Sequence, residues 1–226
     1  MIFRSRLKFH LVKLLKCSNK QAELYCKNGL IEVDKITELD PLILIEDHQE
    51  ICYKTEIIRK GTELLYVLFY KPNLYECTAN RDIENNIYQI IPSEFQHLFP
   101  LGRLDKNSEG LLLLTNDGSV YSNMVDAGGE IDKEYIVTTC LPITHQLEKS
   151  FVNSFELGSR MTLPARFEII SEYEFKVILN EGINRQIRRI CAKNDNQVKT
   201  LTRTRFGKHY LGNLPIGECK KVAKFI

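Results

Sequence analysis

The run Leu111-Leu112-Leu113-Leu114-Thr115, closed by Asn116-Asp117-Gly118, leaves this chain few ways to fold. A short apolar stretch ended by a turn signal reads as a fully buried strand. Such a strand needs a core around it, and 226 residues, 43% of them hydrophobic, can bury one. The length suits one medium domain with a small appendage.

Further strands are predicted at Leu64 to Tyr70, halted by Lys71-Pro72, and at Glu134 to Thr139, Phe167 to Ile170 and Phe175 to Leu179. Helices fall between some of them. This mixture predicts an α+β domain around a largely antiparallel mixed sheet with flanking helices. The first 60 residues read differently. A basic helix near Ser5 to Lys16 precedes Ser18, the N-cap of a second helix from Asn19 to Asn28, with Gly29 as its stop. Ile31, Val33, Ile43, Ile45 and Ile51 then alternate with polar residues as short strands do. The polar stretch Arg59-Lys60-Gly61-Thr62 marks the boundary, giving domains 1–60 and 61–226.

Composition narrows the chemistry mainly by exclusion. With 27% charged residues, 12 glycines and 7 prolines, the chain resembles neither a disordered nor a collagenous sequence. No stretch approaches the roughly 20 apolar residues of a membrane span, and the basic start lacks the apolar core of a secretory signal. A cytoplasmic protein with no membrane partner is expected. The 7 cysteines include no Cys-x-x-Cys pair and the 5 histidines never stand at ligand spacing near them, so reduced thiols and no metal are expected. Neither a dinucleotide fingerprint nor a phosphate-cradling glycine loop is present, so no cofactor is expected. The net charge of +2 says little, but its distribution is uneven. Seven cations between Arg4 and Lys27 face one acid, Glu23, and eight between Arg185 and Lys208 face one acid, Asp195. These are two surfaces able to meet phosphates, or simply two solvated faces.

The polar loop Gly102-Arg103-Leu104-Asp105 leads into the buried strand, a place where a scaffold can present a carboxylate to a cleft. Taken alone, Asp105 is more readily a turn or cap residue than a catalytic acid. Its surroundings change that balance. Gly-Arg-Leu-Asp followed by Gly110-Leu-Leu-Leu-Leu-Thr-Asn-Asp-Gly118 resembles the signature of the RsuA-type pseudouridine synthases. Lys133-Glu134-Tyr135-Ile136-Val137 resembles the family's Lys-x-Tyr strand, and Glu181-Gly182-Ile183-Asn184-Arg185-Gln186-Ile187-Arg188-Arg189 its second long motif. Leu201-Thr202-Arg203-Thr204-Arg205 resembles the late strand that closes the site. The segments Cys17 to Ala22 and Lys27 to Val33 resemble the small RNA-binding domain of a small-subunit ribosomal protein. One departure is visible: Tyr70-Lys71-Pro72-Asn73-Leu74 lacks the asparagine and glycine of the family's Asn-Lys-Pro-x-Gly, which puts that loop's backbone in question.

The resemblance implies a pseudouridine synthase fold and a catalytic Asp105 acting on a uridine flipped out of ribosomal RNA. The Asn-Arg-Gln-Ile-Arg-Arg form is more similar to members acting on large-subunit RNA, the synthase F type, than to the small-subunit enzyme. Transfer RNA is the alternative substrate, and a monomer is expected. An ionised carboxylate in a partly dry pocket needs a cation, and arginine suits it. If Asn184 caps a helix, Ile187, Ile190 and Cys191 form its core face, Arg185 and Arg189 point away, and Arg188 lies at the border. The resemblance assigns Arg188 as the partner of Asp105. Tyr135 is a strand core aromatic or, as the resemblance implies, the ring that stacks on the base. By period-two alternation Leu201 shares a face with Arg203 and Arg205, as a pocket wall beside phosphate contacts would. The phosphate-facing candidates are thus Arg103, Arg185, Arg189, Arg203 and Arg205, with Lys16, Lys20 and Lys27 in the first domain. Rival readings are an RNA-binding module without turnover and a glycosylase or other carboxylate-dependent hydrolase. No second carboxylate stands in a recognisable acid–base pair with Asp105.

Overall fold

In the computed structural model, which describes residues 5–121, 124 and 131–225, every position from Gly110 to Thr115 is buried. Arg4 of the first basic run lies outside the described residues. The chain forms two compact units, Met1–Leu64 and Leu65–Ile226, dividing a few residues past the expected boundary at 60.

In the first unit the helix Leu7–Leu15 buries Leu7 and Leu11, and Asn19–Lys27 buries Ala22 and Cys26. The second helix starts where expected because Ser18 and Gln21 make a reciprocal capping box, satisfying two amide donors that the first turn would leave open. It stops at Gly29, whose φ of 66° is a conformation that glycine adopts without steric cost. A four-stranded sheet follows in the order Ile36–Thr37, Ile31–Val33, Ile51–Tyr53, Glu56–Arg59. Ile31, Val33 and Ile51 of this sheet close the core onto the two helices, together with Ile45.

The second unit is built on one mixed sheet. Its main strands run in the spatial order Arg166–Ser171, Glu174–Leu179, Lys133–Thr139, Val198–Phe206, Glu109–Thr115, Tyr66–Lys71, Cys219–Lys221. Along this path every pairing is antiparallel except that of Val198–Phe206 with Glu109–Thr115. That is the largely antiparallel α+β arrangement expected. The parallel pairing sets Gly110 opposite Arg203, so closely that a Cβ on Gly110 would lie 2.4 Å from the Arg203 carbonyl oxygen. With a φ of 105° as well, only glycine fits there.

Each half of the sheet has its own core. Around Val137, Phe175, Val177 and Leu201 pack Leu147 and Phe151 of the helix His145–Val152, and Ile187, Ile190 and Cys191 of the helix Gln186–Lys193. Around Val67, Phe69, Leu112 and Leu114 pack Ile87, Ile91, Phe95 and Leu98. Tyr135 is half-buried and packs against both clusters, on the seam where the site lies. Among the described residues no helix is long and apolar enough to cross a membrane.

Candidate active site

Asp105 sits in the loop between the strands Phe99–Leu101 and Glu109–Thr115, where Gly102 turns the chain with a φ of 71°. The loop is held from within. The Ser108 amide donates to the Asp105 carbonyl at 3.0 Å. Beneath it Lys71, fully buried, donates through Nζ to the carbonyl oxygens of Ser108 (2.6 Å), Pro72 (2.9 Å) and Lys106 (3.4 Å). Burial pushes the Lys71 amine down to about 8, with Cys77, Glu109 and Asp105 opposing. The Leu74 amide donates to the same Lys106 carbonyl at 2.8 Å. The question raised by the missing glycine is answered here: Leu74 adopts the left-handed conformation, φ 70°, that glycine would take at no cost.

The helix Gln186–Lys193 carries the cations, and its start differs from expectation. Asn184 is not its cap. The cap residue is Arg185, with a φ of 53° and no side-chain capping bond. This left-handed entry changes where the arginines go. Arg185, expected to point away, has Nη1 3.9 Å from Asp105 Oδ2. Arg188, expected to be that partner, instead donates to the carbonyl oxygens of Asn107 and, at 3.3 Å, Val198. Burial and the neighbouring Arg185 cation lower the Arg188 pKa, while Asp105 raises it. Arg188 therefore feels the carboxylate but holds its loop by the backbone. Arg189, expected to face solvent or RNA, donates to the Leu157 carbonyl at 3.0 Å.

Two more arginines depart from the expected surface role. Arg203 is only 1% exposed, with Nε donating to the Leu111 carbonyl at 2.7 Å and its guanidinium 5.1 Å from the Phe206 ring centre. Arg205 is occupied by Asp132 at 3.2 Å, Glu134 at 3.7 Å and the Gly207 carbonyl at 2.9 Å. Strand alternation holds for Leu201 and Arg203, opposite Val137 and Tyr135, but a bulge between Glu134 and Tyr135 shifts the register, so Arg205 stands opposite Glu134 on the other face. Arg103, Lys16, Lys20 and Lys27 are exposed.

A cavity of about 860 Å³ opens over the seam, and Asp105, Arg103, Tyr135, Arg185, Leu201 and Arg203 all line it. Leu201, 6% exposed, and the half-buried Tyr135 give it an apolar wall beside the carboxylate. Sequence reasoning missed Ser108, Lys133 and Gln186, which also line it. Lys133 and Gln186 stood inside motifs already quoted, and period-two alternation from Tyr135 would have found Lys133. Burial, then the Arg203 cation, push the Lys133 amine down. Among the described residues, no group of three or more His, Cys, Asp or Glu side chains is placed to hold a metal ion.

Residues 65–193 fit the family profile described as RNA pseudouridylate synthase, and the chain belongs to that family. It is an RNA pseudouridine synthase, an isomerase. Among its relatives, the dual-specificity RNA pseudouridine synthase RluF of Escherichia coli (strain K12) is 29% identical over 203 residues, 89% of this chain and 70% of that protein. The ribosomal large subunit pseudouridine synthase B of Vibrio vulnificus (strain CMCP6) is 27% identical over 222 residues, 88% of this chain and 66% of that protein. A solved structure described as that of a pseudouridylate synthase shares the fold, with a TM-score of 0.68 and 24% identity over 96% of both chains.

Proposed function

We propose that this enzyme isomerises a uridine flipped out of ribosomal RNA, with the large-subunit RNA as substrate, and that Asp105 is its catalytic carboxylate. The observation that carries this reading is the pairing of Asp105 with Arg185 at 3.9 Å inside a cavity walled by Tyr135 and Leu201. The reaction breaks the bond between ribose C1′ and base N1 and forms one from C1′ to C5. The C5 proton leaves and N1 gains one, so no redox partner or group donor enters the balance. An ionised carboxylate beside the sugar and base can serve such a step, and a nearby guanidinium keeps it ionised.

A glycosidic bond inside folded RNA is out of reach, so the nucleotide must turn out of its stack and meet an apolar or aromatic surface. Tyr135 is the stacking ring in this reading and Leu201 the opposing wall. Arg103 and Arg185 at the cavity meet the flanking phosphates, while Arg189, Arg203 and Arg205 are engaged within the protein. Residues 1–60 act as an RNA-binding domain through the exposed Lys16, Lys20 and Lys27. The large-subunit preference follows the name of the Vibrio vulnificus relative.

The test is release of tritium from C5-labelled uridine in transcripts of large-subunit RNA, small-subunit RNA and transfer RNA, with base retention checked in parallel. Release from the large-subunit transcript without loss of base is expected. Release only from one of the others moves the substrate, and silence on all three removes the catalytic reading.

A further inference from the structure

The helix Leu7–Leu15 buries Leu7 and Leu11 in the core of the first unit, so its opposite side looks outward. At about 3.6 residues per turn that side carries Arg6, Phe9, Lys13 and Lys16, spaced by three, four and three, and all four are exposed. Three of them are cations, and the helix itself holds no acid. The fourth is a phenyl ring left 51% exposed. A lone exposed apolar side chain is ordinary on a protein surface. A ring bracketed by cations along its own helix face is the pairing of charge and aromatic surface that single-stranded nucleic acid fits.

The ring is also braced. Lys8 Nζ, tied to Glu23 of the helix Asn19–Lys27 at 3.3 Å, stands over the Phe9 ring 5.7 Å from its centre. A phenyl held on one side by an ammonium offers its remaining surface to a planar partner. Nucleobases are planar, present a π-face whatever their identity, and carry phosphates on both sides. Arg6 and Lys13 lie about 10 Å apart along the helix axis, one before the ring and one after it. An anionic membrane would instead need an apolar stripe to insert, and the stripe of this helix, Leu7 and Leu11, is already buried.

We infer that the outward face of the helix Leu7–Leu15 docks an unpaired nucleotide of the substrate RNA, its base stacked on Phe9 and its flanking phosphates met by Arg6, Lys13 and Lys16. The inference rests on residues 1–60 being an RNA-binding domain, and it gives that domain a contact that charge alone does not supply. Phosphate contacts are blind to whether a base is paired, because every nucleotide carries the same charge. A stacking ring is not blind. It needs a base free of its duplex, which a bulge or a loop provides and a continuous helix does not. The first unit therefore selects RNA by a loose base other than the uridine that reacts.

The experiment uses the full chain and two RNA duplexes of one sequence, one continuous and one with a single unpaired adenosine. Filter binding over a range of salt is followed for wild type, Phe9→Ala, Phe9→Tyr and Lys13→Gln. Wild type is expected to bind the bulged duplex about tenfold more tightly, the worth of one stacked base. Phe9→Ala should bring the two duplexes within about twofold of each other at an unchanged salt slope, and Phe9→Tyr, which keeps a ring, should restore the preference. Lys13→Gln should weaken both duplexes alike and reduce the salt slope by about one. On the large-subunit transcript, Phe9→Ala should raise KM by about tenfold, far more than it lowers kcat. Equal binding of the two duplexes by wild type, or a Phe9→Ala chain that keeps the preference, overturns the inference. So does a lower melting temperature for Phe9→Ala, which would mean that the ring packs against the protein itself. Binding of no RNA at all by wild type removes both this inference and the RNA-binding reading beneath it. A preference for the bulge without tritium release from any transcript leaves the inference standing and strikes the catalytic reading alone.

Discussion

Arg185 approaches Asp105 because its own backbone is left-handed: φ is 53° at the residue that opens the helix, and Nη1 lies 3.9 Å from the Asp105 carboxylate. Arg188, one turn further along, ties down the loop that carries Asp105 through the carbonyl of Asn107. The two arginines thus divide the work: Arg185 makes the carboxylate contact expected of Arg188, and Arg188 anchors the loop.

That division predicts different phenotypes. Arg188→Lys should lower stability by about 1–2 kcal/mol, since a single ammonium cannot reproduce a guanidinium fork spanning two carbonyls. Arg185→Lys keeps a cation near Asp105 and should leave stability within about 0.5 kcal/mol of wild type, because its side chain is exposed. Denaturant melts of both variants decide, and equal loss in the two would refute the division.

Asp105→Asn should reduce turnover by at least about a thousandfold while RNA affinity stays within a few fold. A neutral amide can neither attack nor take a proton, whereas affinity resides mostly in phosphate contacts. Tritium release and filter binding measure the two separately. Substantial residual release would place the chemistry on another group.

Leu74 is exposed and left-handed at the position where glycine was missing. An L-residue there costs about 1–2 kcal/mol, against roughly 0.5–1 kcal/mol of extra chain entropy for glycine. Leu74→Gly should therefore raise stability by about 0.5–1 kcal/mol. A fall in melting temperature would show that the leucine side chain makes contacts worth more than the strain.

Asp117 is buried, which raises its pKa, but hydrogen bonds from the Ser119 side chain, Tyr66 and the Ser119 and Val120 amides outweigh this and hold it below 3.8. A carboxylate depressed in the folded state contributes stability that is fully present above its unfolded pKa and is lost as pH falls through the folded value. Wild type should thus lose stability relative to Asp117→Asn as pH drops below about 4. Parallel pH-dependence of the two proteins between pH 5 and pH 2 would contradict this.

Local chemistry made much of this molecule legible. The leucine run, the Ser18 cap and the Gly29 stop each announce their structure through neighbours a few residues away. The α+β class followed from the same kind of signal. The arginines were harder, because their fates depend on partners distant in sequence. Arg203 looked like a phosphate contact until the Leu111 carbonyl, 92 residues earlier, accepted the hydrogen bond from its Nε, and Arg205 until it paired with Asp132 and Glu134. Nothing near Arg185 in the chain signals its left-handed backbone. Gln186 carries no periodic or charge pattern, and its fixed orientation depends on Glu181.

The strand Val198–Phe206 lies between Glu109–Thr115 and Lys133–Thr139, both made long before it. During synthesis the two earlier strands must wait side by side with a gap between them, each offering open backbone edges, until the late strand arrives to fill it. The wall carrying Tyr135 and the loop carrying Asp105 are joined only at that moment. A chain stalled before residue 198 would therefore present two half-sheets ready to pair wrongly, and competence would appear abruptly as one of the last strands slots into place.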